Sequence, residues 1–273
     1  MLRMESETGW WLITHPDHAH LAAVFASHWG NGMFVAPQPR ESVLHGIHVH
    51  DDGWAARDAR PGITRQGKPS AFSHELVGKY SAFEEIDLAD YLAVRESAVE
   101  QVEKRDAYAA LLVSMHTVNL LTQRAERSTI APDQLPVLSA FLERQRLRQE
   151  RLRAAIRLDA RLSATDTADQ AILDNFRLLQ ATDNLSLLGC VAYMRPSTLL
   201  HPLPVVDGST VCVAVTPLGA RRFRLEPYPF DQPDLTCRVP ARHVARKVFS
   251  NHEELASEFA AAAVELLTIT VSA

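Results

Sequence analysis

The sequence predicts a mainly α fold: a helical bundle over residues 1–195 with a small C-terminal β-rich appendage of α+β character over residues 196–273. Two observations predict it. Up to about Met194, apolar residues recur three and four apart, as in Leu21, Ala22, Phe25 and Trp29 or Ile172, Phe176, Leu179 and Leu187. That is the period of an amphipathic helix. From Pro196 onward, prolines at 202, 204, 217, 227, 229, 233 and 240 separate short runs rich in β-branched residues, the pattern of strands bounded by turns. At 273 residues and 47% hydrophobic content, the chain is long and apolar enough to bury a substantial core.

Taken in order, Asp17 is placed to cap a first helix running to about Trp29, before the Gly30-Asn31-Gly32 breaker. Arg40 to Asp51 reads as a second helix stopped at Gly53. The stretch from Asp58 to Pro69 is polar with two prolines and two glycines, hence a loop. Helices are expected from about Ile86 to Glu103, from Ala107 to about Glu126 behind an Asp106 cap, and from the Pro132/Pro136 region to about Leu162. Thr165 or Thr167 would cap a last long helix reaching about Met194. Strands are expected at Thr210–Val215, Arg221–Glu226, Leu235–Val239, His243–Val248 and Leu266–Val271, with a short helix from His252 to about Ala262.

The bulk chemistry narrows the function. A formal net charge of −5 argues against a nucleic-acid surface, which needs a basic patch. The Arg-rich run Arg144 to Arg161 interleaves with Glu143, Glu150 and Asp159, so it reads as a salt-bridged exposed helix or a homo-oligomer face. Three cysteines without a CxxC give no disulfide framework. The opening MLRMESETGWWLITH holds no apolar run of signal-peptide length, and the apolar stretch near Phe259 to Ile269 is too short and broken to span a bilayer. The expectation is a cytoplasmic protein without a membrane partner.

Four polar positions break the apolar stripes. His18 heads the first helix's stripe, His50 follows Val43 and Ile47, His116 follows Tyr108 and Leu112, and Asp183 interrupts Phe176, Leu179 and Leu187. An unpaired polar group buried there costs roughly 2–7 kcal/mol unless it is paired or ligates a metal. Plainer readings exist for each: a backbone-bonded His18, a solvated His50-Asp51 helix end, a His116 paired to a carboxylate, and an Asp183 anchoring a Ser, His or Arg. The sharper reading is that they converge on one cation. His and Asp donors suit a divalent Mn, Fe, Ni, Zn or Mg.

The run His50-Asp51-Asp52-Gly53-Trp54 matches HDxG. With an inward His upstream and an inward Asp downstream, residues 1–195 resemble the HD-domain superfamily of metal-dependent phosphohydrolases. The resemblance implies an HD-domain-like helical bundle and a metal held by His18, His50, Asp51 and Asp183, with His74 and His116 as second-metal candidates. It departs in two places: the interval from Asp51 to Asp183 is long, and Trp54 stands where many members carry a Lys that assists an anionic substrate. Nearly the whole chain also resembles the uncharacterised bacterial DUF3891 family, through Trp29-Gly30, His50 to Trp54, Ser114-Met115-His116 and Asp183 to Leu187. That family brings no activity with it.

The function expected is a metal-dependent hydrolase, first of all a phosphohydrolase, acting on a small and phosphorylated molecule. Asp52 is the candidate base or orienting acceptor, and His116 a further candidate catalytic group. The alternatives are a non-catalytic ligand-binding or signalling module built on a structural polar or metal cluster, and a di-iron oxygenase on the same scaffold.

Overall fold

The computed structural model describes residues 1–77, 87–125 and 129–273. Its elements in chain order are β1 (Leu2–Glu5), β2 (Trp10–Ile13), α1 (His15–Ser27), α2 (Arg40–Val49), α3 (Ala55–Asp58), α4 (Leu88–Glu103), α5 (Ala107–Asn119), α6 (Leu135–Leu158) and α7 (Asp169–Cys190). There follow β3 (Ser197–Thr198), β4 (Leu203–Pro204), β5 (Thr210–Val211), β6 (Ala214–Gly219), β7 (Arg222–Glu226), β8 (Asp234–Val244), α8 (His252–Ala261) and β9 (Val264–Ser272).

The expected mainly α, all-helical bundle with a small appendage is not what forms. The fold is α+β. Seven strands join in one sheet ordered β1-β2-β8-β9-β7-β6-β3, and β4 pairs with β5 separately. All neighbours in the large sheet are antiparallel except β7 and β9. The N-terminal hairpin docks on the C-terminal half of the chain, Trp10 opposite Val244 and Leu12 opposite Arg242. The sheet therefore takes strands from both sides of the expected boundary at residue 195. Two four-residue strands carry little alternation of their own, and β2 becomes a strand by pairing with residues more than 200 positions away.

The strands that were expected are rearranged. Leu235–Val239 and the start of His243–Val248 fuse into β8, whose buried residues alternate at Leu235, Cys237, Val239 and Ala241. Pro240 sits inside it, a residue that favours edges; β2 covers only Arg242–Val244, so the flank at Pro240 is unpaired on that side. Thr210–Val215 splits into β5 and the start of β6.

The helices follow the apolar stripes closely, and their caps shift. Thr14, not Asp17, caps α1; its hydroxyl accepts from the Asp17 N–H and donates back to the Asp17 carboxylate, a reciprocal cap. Asp87 caps α4 and Asp106 caps α5, while Ala168 stands at the cap position of α7 with no side-chain bond. The expected end points Ile86 and Glu126 lie outside the described residues. Helix α5 runs through the middle, with Ala109 to Val113 fully buried, and packs on α2, α4, α6 and α7. Gly46 of α2 lets that contact close: a Cβ there would sit 3.2 Å from the Ala109 Cα. None of the helices among the described residues is long and apolar enough to cross a membrane.

Asp58, ending α3, ties this corner to α1. It accepts from the His15 backbone N–H at 2.5 Å and from the Met1 amino group at 2.9 Å, and the His15 Nδ1 lies 2.6 Å from that amino group. Burial alone would raise its pKa, but the adjacent His15 and amino-group charges outweigh it and hold the carboxyl well below its usual range. A depressed carboxyl stabilises the fold above its unfolded pKa of about 3.9, and the contribution is lost as pH falls through the folded value. Asp58→Asn removes the charged acceptor of the His15 backbone N–H and the Met1 amino group and is expected to cost ~1.5–3 kcal/mol at pH 7. Urea unfolding measures it, and the gap between variant and wild type should shrink below pH ~4.

Candidate metal centre

Four elements bring the predicted residues together. His18 lies one turn into α1, His50 and Asp51 follow the last turn of α2, His116 is in the last turn of α5, and Asp183 is in the middle of α7. All five are buried, none more than 6% exposed. They form two overlapping triads able to hold a metal ion, His18-His50-Asp51 and His50-His116-Asp183, with donor atoms within 4.8 Å of one another.

The histidine tautomers are fixed from behind. His50 Nδ1 lies 2.7 Å from the Ile47 carbonyl, which can only accept, so Nδ1 carries a proton. The Ser186 hydroxyl donates to the Asp183 carbonyl, so its oxygen accepts from His18 Nδ1 at 3.1 Å. Both rings therefore turn Nε2 toward the carboxylates. His18 Nε2 is 3.0 Å from Asp51 Oδ2, and His50 Nε2 is 3.4 Å from Asp183 Oδ1 and 4.0 Å from Asp51 Oδ2. His50 Nε2 is buried without a hydrogen-bond partner; at 3.4 Å and poorly aligned, the pull of Asp183 is electrostatic attraction. A bare imidazole lone pair against a carboxylate is repulsive, so each Nε2 needs a second proton or a cation. Donor atoms on one metal, with bonds of about 2.1 Å, stand about 3.0–3.4 Å apart. The observed spacing fits such a shell, slightly open on the His50–Asp51 side.

Arg95 is the residue the stripe analysis missed. It reaches from α4 to Asp51 Oδ1 at 2.5 Å and is 3% exposed. It breaks the stripe Leu88, Leu92, Val99 and Val102 just as His50 breaks its own, so the same signal marks it. Its guanidinium lies 5.3 Å from the ring centroids of both Trp54 and Tyr91. Trp54 is buried among them, which makes it a wall over the cation. Gly53 permits the approach of α4: a Cβ there would meet the Val94 carbonyl oxygen at 2.8 Å.

The other candidates fall differently. Gln180, one turn before Asp183, donates from Nε2 to His116 Nδ1 at 2.6 Å. In that orientation the His116 proton sits on Nε2; with the amide reversed, Nε2 would be free to ligate. Burial drives the His116 pKa down to about 3, so the ring is neutral. The structure does not bring Asp52 or His74 to the cluster. Asp52 is 45% exposed, with Oδ1 3.8 Å from His20 Nε2, beside a His20–His48 stack on the outer face. The adjacent-residue argument failed because the chain turns out of α2 at this point, sending Asp51 inward and Asp52 outward. His74 is exposed in a short 3-10 turn after the loop, near Glu75.

Burial by itself lowers the His50 pKa, but the Asp51 and Asp183 charges outweigh it and lift it to about 9. A raised pKa stabilises the metal-free fold fully below 6.5, and that contribution is lost as pH rises through about 9. An ion taking the place of the proton releases it. Titrating Zn or Mn into the protein at pH 7 is expected to release at least one proton per ion bound, read by calorimetry in buffers of different ionisation enthalpy; uptake with no proton released would contradict the assignment of Nε2. Arg95→Met strips Asp51 of its permanent partner and is expected to destabilise the metal-free protein by ~3–5 kcal/mol, with saturating metal recovering part of the loss in urea unfolding.

No curated protein and no solved structure matches the chain. A family model described as "Protein of unknown function (DUF3891)" matches residues 1–246, a span that takes in α1 to α7, every residue of the buried cluster and all but one strand of the sheet. The chain belongs to the DUF3891 family.

Proposed function

We propose that the protein is a metal-dependent hydrolase of small phosphorylated molecules, with an HD-like ligand set of His18, His50, Asp51 and Asp183. The observation that carries it is the pair of buried imidazoles. Both have Nδ1 committed to an acceptor; His18 presents Nε2 to Asp51, and His50 presents Nε2 to Asp183 and, farther off, Asp51. Two carboxylates in a greasy interior against one fixed cation, Arg95, leave room for positive charge that a divalent ion would supply.

A bound divalent ion supplies Lewis acidity and a water of lowered pKa. The chain's own residues do the rest. Arg95 holds the outer oxygen of Asp51, so the inner oxygen stays turned to the histidines. Ser186 and the Ile47 carbonyl orient the two rings. His116, neutral and fixed by Gln180, serves as a hydrogen-bond donor to a substrate oxygen from Nε2; its depressed pKa disfavours a role as general acid near neutral pH. Asp183 also lines an open cleft, which gives a substrate its approach.

A second reading has its own support. Arg95 and a protonated His50 would together balance Asp51 and Asp183 without a metal, as in a structural cluster of a binding module. The two triads sharing His50 also suit a pair of irons and oxygen chemistry. Elemental analysis with a phosphate-release screen separates these outcomes. The wild type is expected to carry a divalent metal near stoichiometry and to hydrolyse at least one phosphomonoester. Asp183→Asn should lose metal and at least 100-fold in rate, while Asp52→Asn keeps both. Metal-free wild type with no turnover on metal addition would leave the structural cluster; iron with oxygen consumption would leave the oxygenase.

A further inference from the structure

A cleft opens beside Asp183. Its walls come from four places: the turn around Leu76, the segment after α5, the α7 face that carries Asp183, and Leu200 after β3. After Asn119, α5 gives way to a π-helical turn, Leu120–Arg124, a rare form that recurs at functional sites. This turn places Leu120, Gln123 and Arg124 on the cleft.

The lining is chemically uneven. Leu76, Val77, Leu120 and Leu187 make an apolar wall. Arg124 is the one cation among the described residues of the lining, and it takes part in no ion pair among the described residues. Asn184 lies next to Asp183, and its Oδ1 is buried with no hydrogen-bond partner. A buried acceptor is rarely left unsatisfied unless a ligand or water completes it. Apolar walls with a few placed polar groups are the usual make-up of a small-molecule site.

We infer that this cleft is the substrate site and that it takes a small monophosphorylated molecule with an apolar aryl or alkyl body. This rests on the hydrolase reading above and narrows its substrate. The phosphate lies between the buried cluster and Arg124. Its protonated oxygen, or a hydroxyl of the ligand, donates to Asn184 Oδ1. The apolar body covers Leu120 and Leu187. A nucleoside triphosphate is disfavoured on charge alone: it brings several negative charges to a cleft that offers one arginine and already contains the Asp183 carboxylate.

Phenyl phosphate, inorganic phosphate and ATP are the probes, titrated calorimetrically into the full chain, both metal-free and loaded with Mn. Phenyl phosphate should bind at least tenfold tighter than inorganic phosphate and tighter than ATP. Arg124→Gln should weaken phenyl phosphate and inorganic phosphate alike by about tenfold, with metal content unchanged. Leu187→Gln should weaken phenyl phosphate and leave inorganic phosphate as it was. No binding of phenyl phosphate, equal binding by wild type and Arg124→Gln, or preference for ATP would each overturn the inference. Metal present without Arg124-dependent binding sinks this site and spares the metal centre. Arg124-dependent binding by a protein that takes up no metal keeps the site and sinks the hydrolase.

Discussion

Two buried carboxylates facing two imidazole Nε2 atoms set the terms for the rest of the molecule. Asp51 and Asp183 are each more than nine-tenths buried, in an interior where an isolated carboxylate is far more costly than in water. Burial would raise both pKa values, yet the surrounding cations hold both below the ordinary carboxylate value. The cluster is therefore charged, and it persists only because positive charge is held at fixed places around it. Arg95 provides one such charge. His50 provides another whenever it carries its second proton, and a divalent ion would replace that proton with a stronger one.

The backbone is arranged around that requirement. Gly46 lets α2 lie against α5, bringing the His50 and His116 rings to 5.0 Å between centroids. Gly53 lets α4 lie against the turn after Asp51, so that Arg95 reaches the carboxylate. The glycine of the HDxG run thus has a packing reason independent of any ligand. The strands flank the helices without contributing a residue to the cluster: β8 and β1 of the large sheet pack on α1 and α7 respectively, and β4 of the two-stranded sheet packs on α7. They support the two helices that carry His18 and Asp183.

How much of this could be read from the residues follows from the range of each interaction. Polar residues at inward helical positions were legible because helix periodicity is local, and His18, His50, Asp51, His116 and Asp183 do meet. Asp52 was misplaced because periodicity gives no guidance once α2 ends; the backbone direction after His50 decides which of two adjacent aspartates turns in. The α+β character was hidden for another reason. β1 and β2 are four residues each, and their strand identity depends on β8 at the other end of the chain, a pairing no local window contains. Arg95 was legible and overlooked, since an arginine in an apolar stripe is as anomalous as a histidine in one.

Position 54 shows how a corner of the cluster is closed by an aromatic ring while its cation comes from another helix. A lysine after HDxG would place an ammonium on a flexible stem near the centre. Here Trp54 closes that corner, and the cation comes from α4 as a guanidinium under the indole. Arg95 is locked to Asp51 Oδ1 and bonded to the Tyr91 hydroxyl, so its charge serves the carboxylate and not an incoming anion. The anionic substrate of the proposed hydrolase would then need its positive charge from another wall. Of the described residues lining the cleft beside Asp183, Arg124 is the one cation that could supply it.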